Sequence, residues 1–220
     1  MKTWRRPGHR LVSGLVLAAC TTLFPLTEAP AQAARPVERH DWTVGLAYGV
    51  GHASLEFNEA APSTDWSRGG SPQFRVGRMI GHHLMFGIED RQWLNEGGLK
   101  GYKVRGNMQN LCLVLTAYPG RTTDLTSGIF LQLGGGYAHG RLTGLEPFEG
   151  GSNEWGETYE VVYKHDAGGW GAMVGIGYEF SLSRHFAAGI ATSYNVLRFD
   201  DDLFERTEFF PGGLNLNWYF

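Results

Sequence analysis

His52, Ser54 and Glu56 alternate along a short extended stretch, a spacing that puts all three side chains on one face of a strand. A histidine, a hydroxyl and a carboxylate sharing a face are the parts of a hydrolase: base, nucleophile and orienting acid. Residues two apart on a flat strand stand about 7 Å from each other, too far for a hydrogen bond without distortion. The plainer reading is a polar rim where the strand leaves an apolar layer. His82 and His83 are adjacent, so on a strand they point oppositely and chelate poorly; they read as an exposed turn. Gly134-Gly135-Gly136 and Gly175-Ile176-Gly177 are not phosphate loops, because no helix or Lys-Ser/Thr follows them. Asp200-Asp201-Asp202 with Glu205 could gather a divalent cation, but the default is a solvated loop tip. Glu146, Glu149, Glu154, Glu157 and Glu160, beside Phe148, Trp155 and Tyr159, suit either a partner contact or a cap over the fold. No metal site and no cofactor is expected.

Composition narrows the scaffold that must carry these residues. Of 220 residues 32 are glycine, roughly twice the usual share of about 7%. Nine prolines and no Gly-X-Y period exclude collagen, and 13% aromatics exclude disorder. Glycine costs about 1 kcal/mol per helical position, so β-structure is expected. A mean hydropathy of -0.24 excludes a bundle of membrane helices, each of which needs about 20 consecutive apolar residues.

Lys2, Arg5, Arg6 and Arg10 precede an apolar stretch from Leu11 to Phe24, and Ala31-Gln32-Ala33 supplies a small-x-small cleavage site. Residues 1–33 are therefore expected to be an export signal, leaving 34–220 as a single domain. Leu17-Ala18-Ala19-Cys20 also resembles the lipobox of bacterial lipoproteins, although the downstream site is better placed. Losing four basic residues and Glu28 takes the net charge from -3 to -6, which offers no basic face for nucleic acid. Cys112 then stands alone, so neither an internal disulfide nor a cysteine zinc site can form.

From Trp42 onward the chain alternates with period two. In the last segment Phe210, Gly212, Leu214, Leu216, Trp218 and Phe220 oppose Asn215, Asn217 and Tyr219. The same pattern runs through Trp42–Gly51, Phe74–Ile80, Leu84–Arg91, Asn110–Ala117, Ile129–Ala138, Trp170–Leu182 and Phe186–Val196. Eight such segments of about 9–15 residues are even in number and long enough to cross a bilayer as tilted strands. The connections alternate too. Gly81–His83 and Ser183–Arg184 are tight and Pro119–Ser127 is moderate, whereas Asn58–Ser71, Asn95–Val104, Leu142–Ala167 and Asp200–Arg206 read as long loops.

One face of these segments carries large apolar residues. The other carries Gly, Ala, Ser, Asn and Gln together with Arg75, Glu89, Arg91 and Glu179. Glycines on a water-facing surface would have no purpose, but inside a narrow barrel they let the walls approach and make room for long polar side chains. The expected fold is an all-β, eight-stranded antiparallel up-and-down transmembrane barrel. Arg75, Glu89, Arg91, Gln132, Glu179, Asn195, Asn215 and Asn217 would form its interior network, with charges balanced. Trp42, Tyr118, Phe186, Trp218 and Phe220 near one set of ends, and Trp93, Tyr137, Trp170 and Phe199 near the other, would make two interfacial girdles. Arg78 and Asp90 fall on the apolar face, which implies either an interfacial position or a bulge that shifts the register.

On these residues the chain resembles the OmpA/OmpX-like eight-stranded outer-membrane barrels of Gram-negative bacteria, over nearly all of residues 40–220. The most specific element is Leu214-Asn215-Leu216-Asn217-Trp218-Tyr219-Phe220. Its Leu214, Leu216, Trp218 and Phe220 are similar to the terminal signal read by the barrel assembly machinery. The resemblance implies a monomer in the outer membrane, in contact with membrane lipid and lipopolysaccharide, with a filled lumen that does not conduct freely. It also implies a structural or surface-interaction role through four long external loops. His52-Ala53-Ser54 further resembles the His-x-Ser pair of outer-membrane lipid A deacylases, although in that family the pair lies late in the chain and precedes Asn rather than Leu55. A lipid A-modifying hydrolase is thus the alternative function. A narrow channel and a lipid-binding periplasmic barrel are the remaining ones.

Overall fold

The computed structural model describes residues 41–57, 64–81, 83–99, 102–120, 128–147, 159–201 and 204–220. The expected export signal, its cleavage site and Cys20 lie outside the described residues. The alternating segments form eight strands: β1 (Trp42–Phe57), β2 (Thr64–Ile80), β3 (Leu84–Leu99), β4 (Tyr102–Ala117), β5 (Ile129–Pro147), β6 (Tyr159–Ser181), β7 (Phe186–Phe199) and β8 (Phe204–Tyr219). Each pairs antiparallel with its neighbours in sequence, and β1 pairs with β8 from Thr43↔Tyr219 to Phe57↔Phe204, so the sheet closes on itself. Closure removes every sheet edge within the barrel. The tight β2–β3 connection turns at Gly81, whose φ of 69° is open to glycine at little cost.

The two faces sort as the alternation requires, and in the sense opposite to a soluble protein. Leu214, Leu133 and Val50 are 68%, 64% and 62% exposed, while Thr43, Val114 and Asn217 are almost fully enclosed. A continuous jacket of exposed Leu, Ile, Val and Phe has no stable neighbour in water, so its medium is the hydrocarbon of a bilayer. At the short-turn end Trp218 stacks on Phe220 with centroids 5.8 Å apart and meets Phe186 edge-on, forming an aromatic girdle. Tyr137 and Trp170 oppose each other across β5 and β6 near the other end. Inside, glycines are required where partners crowd the wall: a Cβ at Gly45 would strike the Asn217 amide, and one at Gly177 the Phe130 ring.

Two expectations need correction. Trp93, Tyr118 and Phe199 are not girdle residues; they are buried in the lumen. Trp93 keeps the inward parity of Glu89 and Arg91, and Tyr118 that of Thr116, because no bulge intervenes. The interior is therefore layered rather than uniformly polar. Met79, Met85, Tyr118 and Phe130 close the short-turn end, while Trp93, Met108, Leu142, Leu197, Phe199 and Phe209 pack the other.

The long loops are also shorter than expected. β3 and β4 stay paired up to Leu99↔Tyr102, braced by Arg105 Nη2 donating to Glu96 Oε1 at 2.7 Å. β5 and β6 stay paired up to Pro147↔Tyr159, and β8 begins at Phe204, soon after β7 ends at Phe199. Residues read as loop thus continue the strands.

Finally, the β2–β3 register has no shift between Gly70↔Leu94 and Ile80↔Leu84. Arg78 lies opposite Trp42 and Phe86 at the short-turn rim, where its long side chain can reach the interface. Asp90 does face outward, and it accepts hydrogen bonds from Gln109 Nε2 at 2.8 Å and Gln92 Nε2 at 3.3 Å.

Candidate functional site

The lumen holds the first candidate. Arg75, Glu89, Arg91, Gln132, Glu179, Asn195, Asn215 and Asn217 all point inward and are all buried. β6 presents Glu179, and three strands converge on it. Asn217 Nδ2 donates to Glu179 Oε1 at 2.7 Å, and Tyr219 Oη to Oε2 at 2.6 Å. Arg75 Nη2 donates to Asn217 Oδ1 at 2.7 Å and stands 3.9 Å from the carboxylate. Tyr118 Oη donates to Glu179 at 3.4 Å, and the Arg75 guanidinium lies 6.0 Å from the Phe130 ring centre. A second centre sits one layer further up. Arg91 is bonded to Glu89 and to Ser193, whose hydroxyl accepts from Asn195 Nδ2 at 3.0 Å. Gln132 Nε2 bridges Glu89 at 3.5 Å and Thr116 at 3.4 Å.

Each lumen cation thus has an acid beside it, as burial demands. Tyr118, Tyr219 and Ser193 belong to the network although sequence reasoning did not place them in it. For Tyr219 the signal was present in the alternation Asn215, Asn217, Tyr219. Among the described residues Arg75 Nε and Asn215 Oδ1 have no hydrogen-bond partner, and both residues line a void of about 20 Å³, room for about one water molecule. Clusters of buried apolar side chains lie on either side of this charged centre.

The second candidate is on the outer face. His52, Ser54 and Glu56 all face outward, as their spacing requires, above the apolar part of β1. β8 lies alongside, with His52 opposite Phe210, Ser54 opposite Glu208 and Glu56 opposite Arg206. His52, Ser54, Tyr194 and Glu208 line an open cleft of about 340 Å³ floored by Phe209 and Phe210. The carboxylate brought to the histidine and serine is therefore Glu208, 154 positions from Ser54 in sequence, and not Glu56. Only barrel closure brings it there. Glu208 is itself bonded to Arg206 and to the Tyr194 hydroxyl.

The remaining motifs gain no chemistry. His83 Nδ1 lies 3.0 Å from the Tyr118 carbonyl oxygen within its turn, and His82 lies outside the described residues. Asp201 is 2.9 Å from His165 Nε2. Asp202, Phe148, Glu149, Glu154, Trp155 and Glu157 lie outside the described residues. Among the described residues no group of three His, Cys, Asp or Glu side chains is placed to hold a metal ion. Cys112 is buried in the lumen beside Val114 and Met173.

No protein-family model and no curated protein matches this sequence. Solved structures do. Ail, the attachment invasion locus protein of Yersinia pestis, matches at a TM-score of 0.53 and 12% identity in its complex with the heparin analogue sucrose octasulfate. The match spans 81% of this chain and 99% of that one. A second Ail structure matches at 0.53 and 11% identity over the same shares. Neisserial surface protein A follows at 0.48 and 13%, spanning 81% of this chain and 97% of its own. Identities this low speak to the fold alone, and strand order and closure define that fold independently: this chain is a closed eight-stranded antiparallel barrel, the fold shared by Ail.

Proposed function

We propose that the protein is an outer-membrane anchor whose work is done outside the cell, by a raised β-sheet rather than by four long loops. In this reading residues 1–33 direct export, and the terminal strand, through Leu214, Leu216, Trp218 and Phe220, engages the assembly machinery and then closes against β1. The observation that carries the proposal is the unequal height of the ladders. β2–β3 pairing stops at Gly70↔Leu94 and β6–β7 pairing at Gly169↔Phe199. β3, β4, β5 and β6 nevertheless continue together to Leu99↔Tyr102 and Pro147↔Tyr159. Above the closed barrel they form a sheet with two lateral edges, and unpaired strand edges are templates for another chain. The occluded lumen supports the same reading against a channel.

The test is to shorten β3–β4 at 96–105 and β5–β6 at 143–165 to tight turns. Cells displaying the full chain should adhere to immobilised partner-cell surfaces, and cells displaying the shortened barrel should not. Equal adhesion, with both barrels showing heat-modifiable gel migration, would remove the sheet from the function.

A second reading, hydrolysis of a lipid ester at the membrane surface, is favoured by the cleft between β1, β7 and β8. There Ser54 Oγ would attack the ester carbonyl while His52 takes its proton and returns it to the leaving alcohol; water, deprotonated by the same imidazole, would then release the acyl group from Ser54 as the free acid, with Glu208 steadying the imidazolium in both steps. Lipid A from cells carrying the protein would then lack an acyl chain that Ser54→Ala restores. Identical lipid A from both strains sinks this reading.

A further inference from the structure

Every strand contact but one joins strands that follow each other in the chain, so a connecting segment keeps the two together. The exception is β1 with β8, where the barrel closes. Side chains lying directly along this seam do little to hold it. On the outside Val44, Leu46 and Tyr48 lie opposite Trp218, Leu216 and Leu214. Lipid tails are as apolar as leucine, so these pairs gain little by leaving lipid for each other. On the inside β1 offers Gly45, Ala47, Gly49, Gly51 and Ala53 between Thr43 and Leu55, side chains too small to grip a neighbour. Asn217 of β8 accordingly sits between two small residues, Gly45 of β1 and Ala187 of β7.

Lumen charge spans what β1 leaves open. Among the described residues the buried charged side chains are Arg75, Glu89, Arg91 and Glu179. Arg91 has its acid on its own strand, donating from Nε to Glu89 Oε1 at 3.0 Å, a pair that does not depend on closure. Glu89 also stands opposite Arg75, so β2 and β3 together bring two cations and one carboxylate. The balancing acid is Glu179, which β6 supplies from the other side of the seam. Arg75 and Asn217 meet over Gly45, which pairs with both, and a Cβ at Gly45 would strike the Asn217 amide. There Arg75 Nη2 donates to Asn217 Oδ1 at 2.7 Å, and Asn217 Nδ2 donates to Glu179 Oε1 at 2.7 Å. These bonds run from β2 over β1 to β8 and on to β6. Opening the seam parts Arg75 from Asn217 and leaves two cations to one acid on the β2–β3 side, a costly imbalance in an enclosed space. We propose that Arg75, Asn217 and Glu179 form a latch that holds the β1–β8 seam shut from within the lumen, with Arg75 and Asn217 as the positioning residues of closure.

The test is amide hydrogen exchange read by mass spectrometry on the full chain, folded in micelles and checked by heat-modifiable migration. Peptides from the seam, within 42–51 and 210–219, are compared with peptides from the β4–β5 ladder, within 111–117 and 131–138. The pair Arg75→Met with Glu179→Leu removes the latch without leaving either charge unpaired by its partner. Its seam amides should exchange at least about tenfold faster than in the wild type while the β4–β5 amides keep their rates, which is local opening rather than global unfolding. Asn217→Ala keeps both charges, cuts the bridge, and should loosen the seam in the same selective way. Arg91→Met, which strands an acid away from the latch, should weaken all ladders alike. Seam and β4–β5 amides that accelerate together in the double variant, or not at all, overturn the proposal. So does an Asn217→Ala seam as protected as the wild type, or an Arg91→Met seam opened as selectively as that of the double variant. A double variant that does not fold overturns it too, because the pair is then needed by the whole barrel and not by its seam.

Discussion

Glu179 in the lumen and Asp166 on the outer rim are both carboxylates beside an arginine, and they are held in contrasting ways. The Glu179 side chain is fully enclosed and takes hydrogen bonds from Asn217 and Tyr219 as well as the charge of Arg75. Asp166 is 41% exposed and has cations around it but a solvated side. Burial removes the water that would otherwise share each charge, so the lumen must supply every partner from its own walls. The rim is under no such demand, because water shares each charge there and the surrounding side chains need not satisfy it. Charge must be paired where it is enclosed and need not be where it is exposed.

That contrast can be broken by stability measurements in micelles, with urea midpoints as the readout. Glu179→Leu removes the buried acid facing Arg75 and should cost about 3–5 kcal/mol, whereas adding Arg75→Met to the same protein should recover most of it. A single variant as stable as the wild type would mean that the lumen is wetter than its packing implies. Leu133→Arg, on the lipid side of β5 midway between Ile129 and Tyr137, should cost about 2–4 kcal/mol in a bilayer or micelle. No cost there would say that the apolar jacket does not meet lipid. Arg105→Gln breaks an exposed ion pair and should cost less than about 1 kcal/mol. A larger loss would place the β3–β4 extension among the elements that hold the barrel together.

Much of the fold was legible because a membrane barrel writes its architecture at short range. The alternation of Leu214, Leu216 and Trp218 with Asn215, Asn217 and Tyr219 states which face meets lipid without reference to any other strand. Trp93, Tyr118 and Phe199 were misassigned because an aromatic near a strand end suits both a girdle and a lumen plug. Parity decides between them, and parity was legible for Trp93 from Glu89 and Arg91. The hairpin at Leu99↔Tyr102 was hidden because Asn95, Glu96, Gly97 and Gly98 have the composition of a loop; cross-strand bonding such as Arg105 to Glu96 holds them as strand. The partner of Ser54 was out of reach altogether, since nothing local to β1 points to Glu208.

By itself, then, the order of residues determined the number of strands, their inward and outward faces, and the side chains that would have to share a narrow interior. These are consequences of a two-residue period, which each segment carries alone. Tertiary structure decided which polar side chains come together: Glu179 with Asn217 and Tyr219, Asp166 with Arg141, and Ser54 across from Glu208. Those pairings depend on register between strands and on closure of β1 against β8, properties of the assembled sheet that no single segment contains.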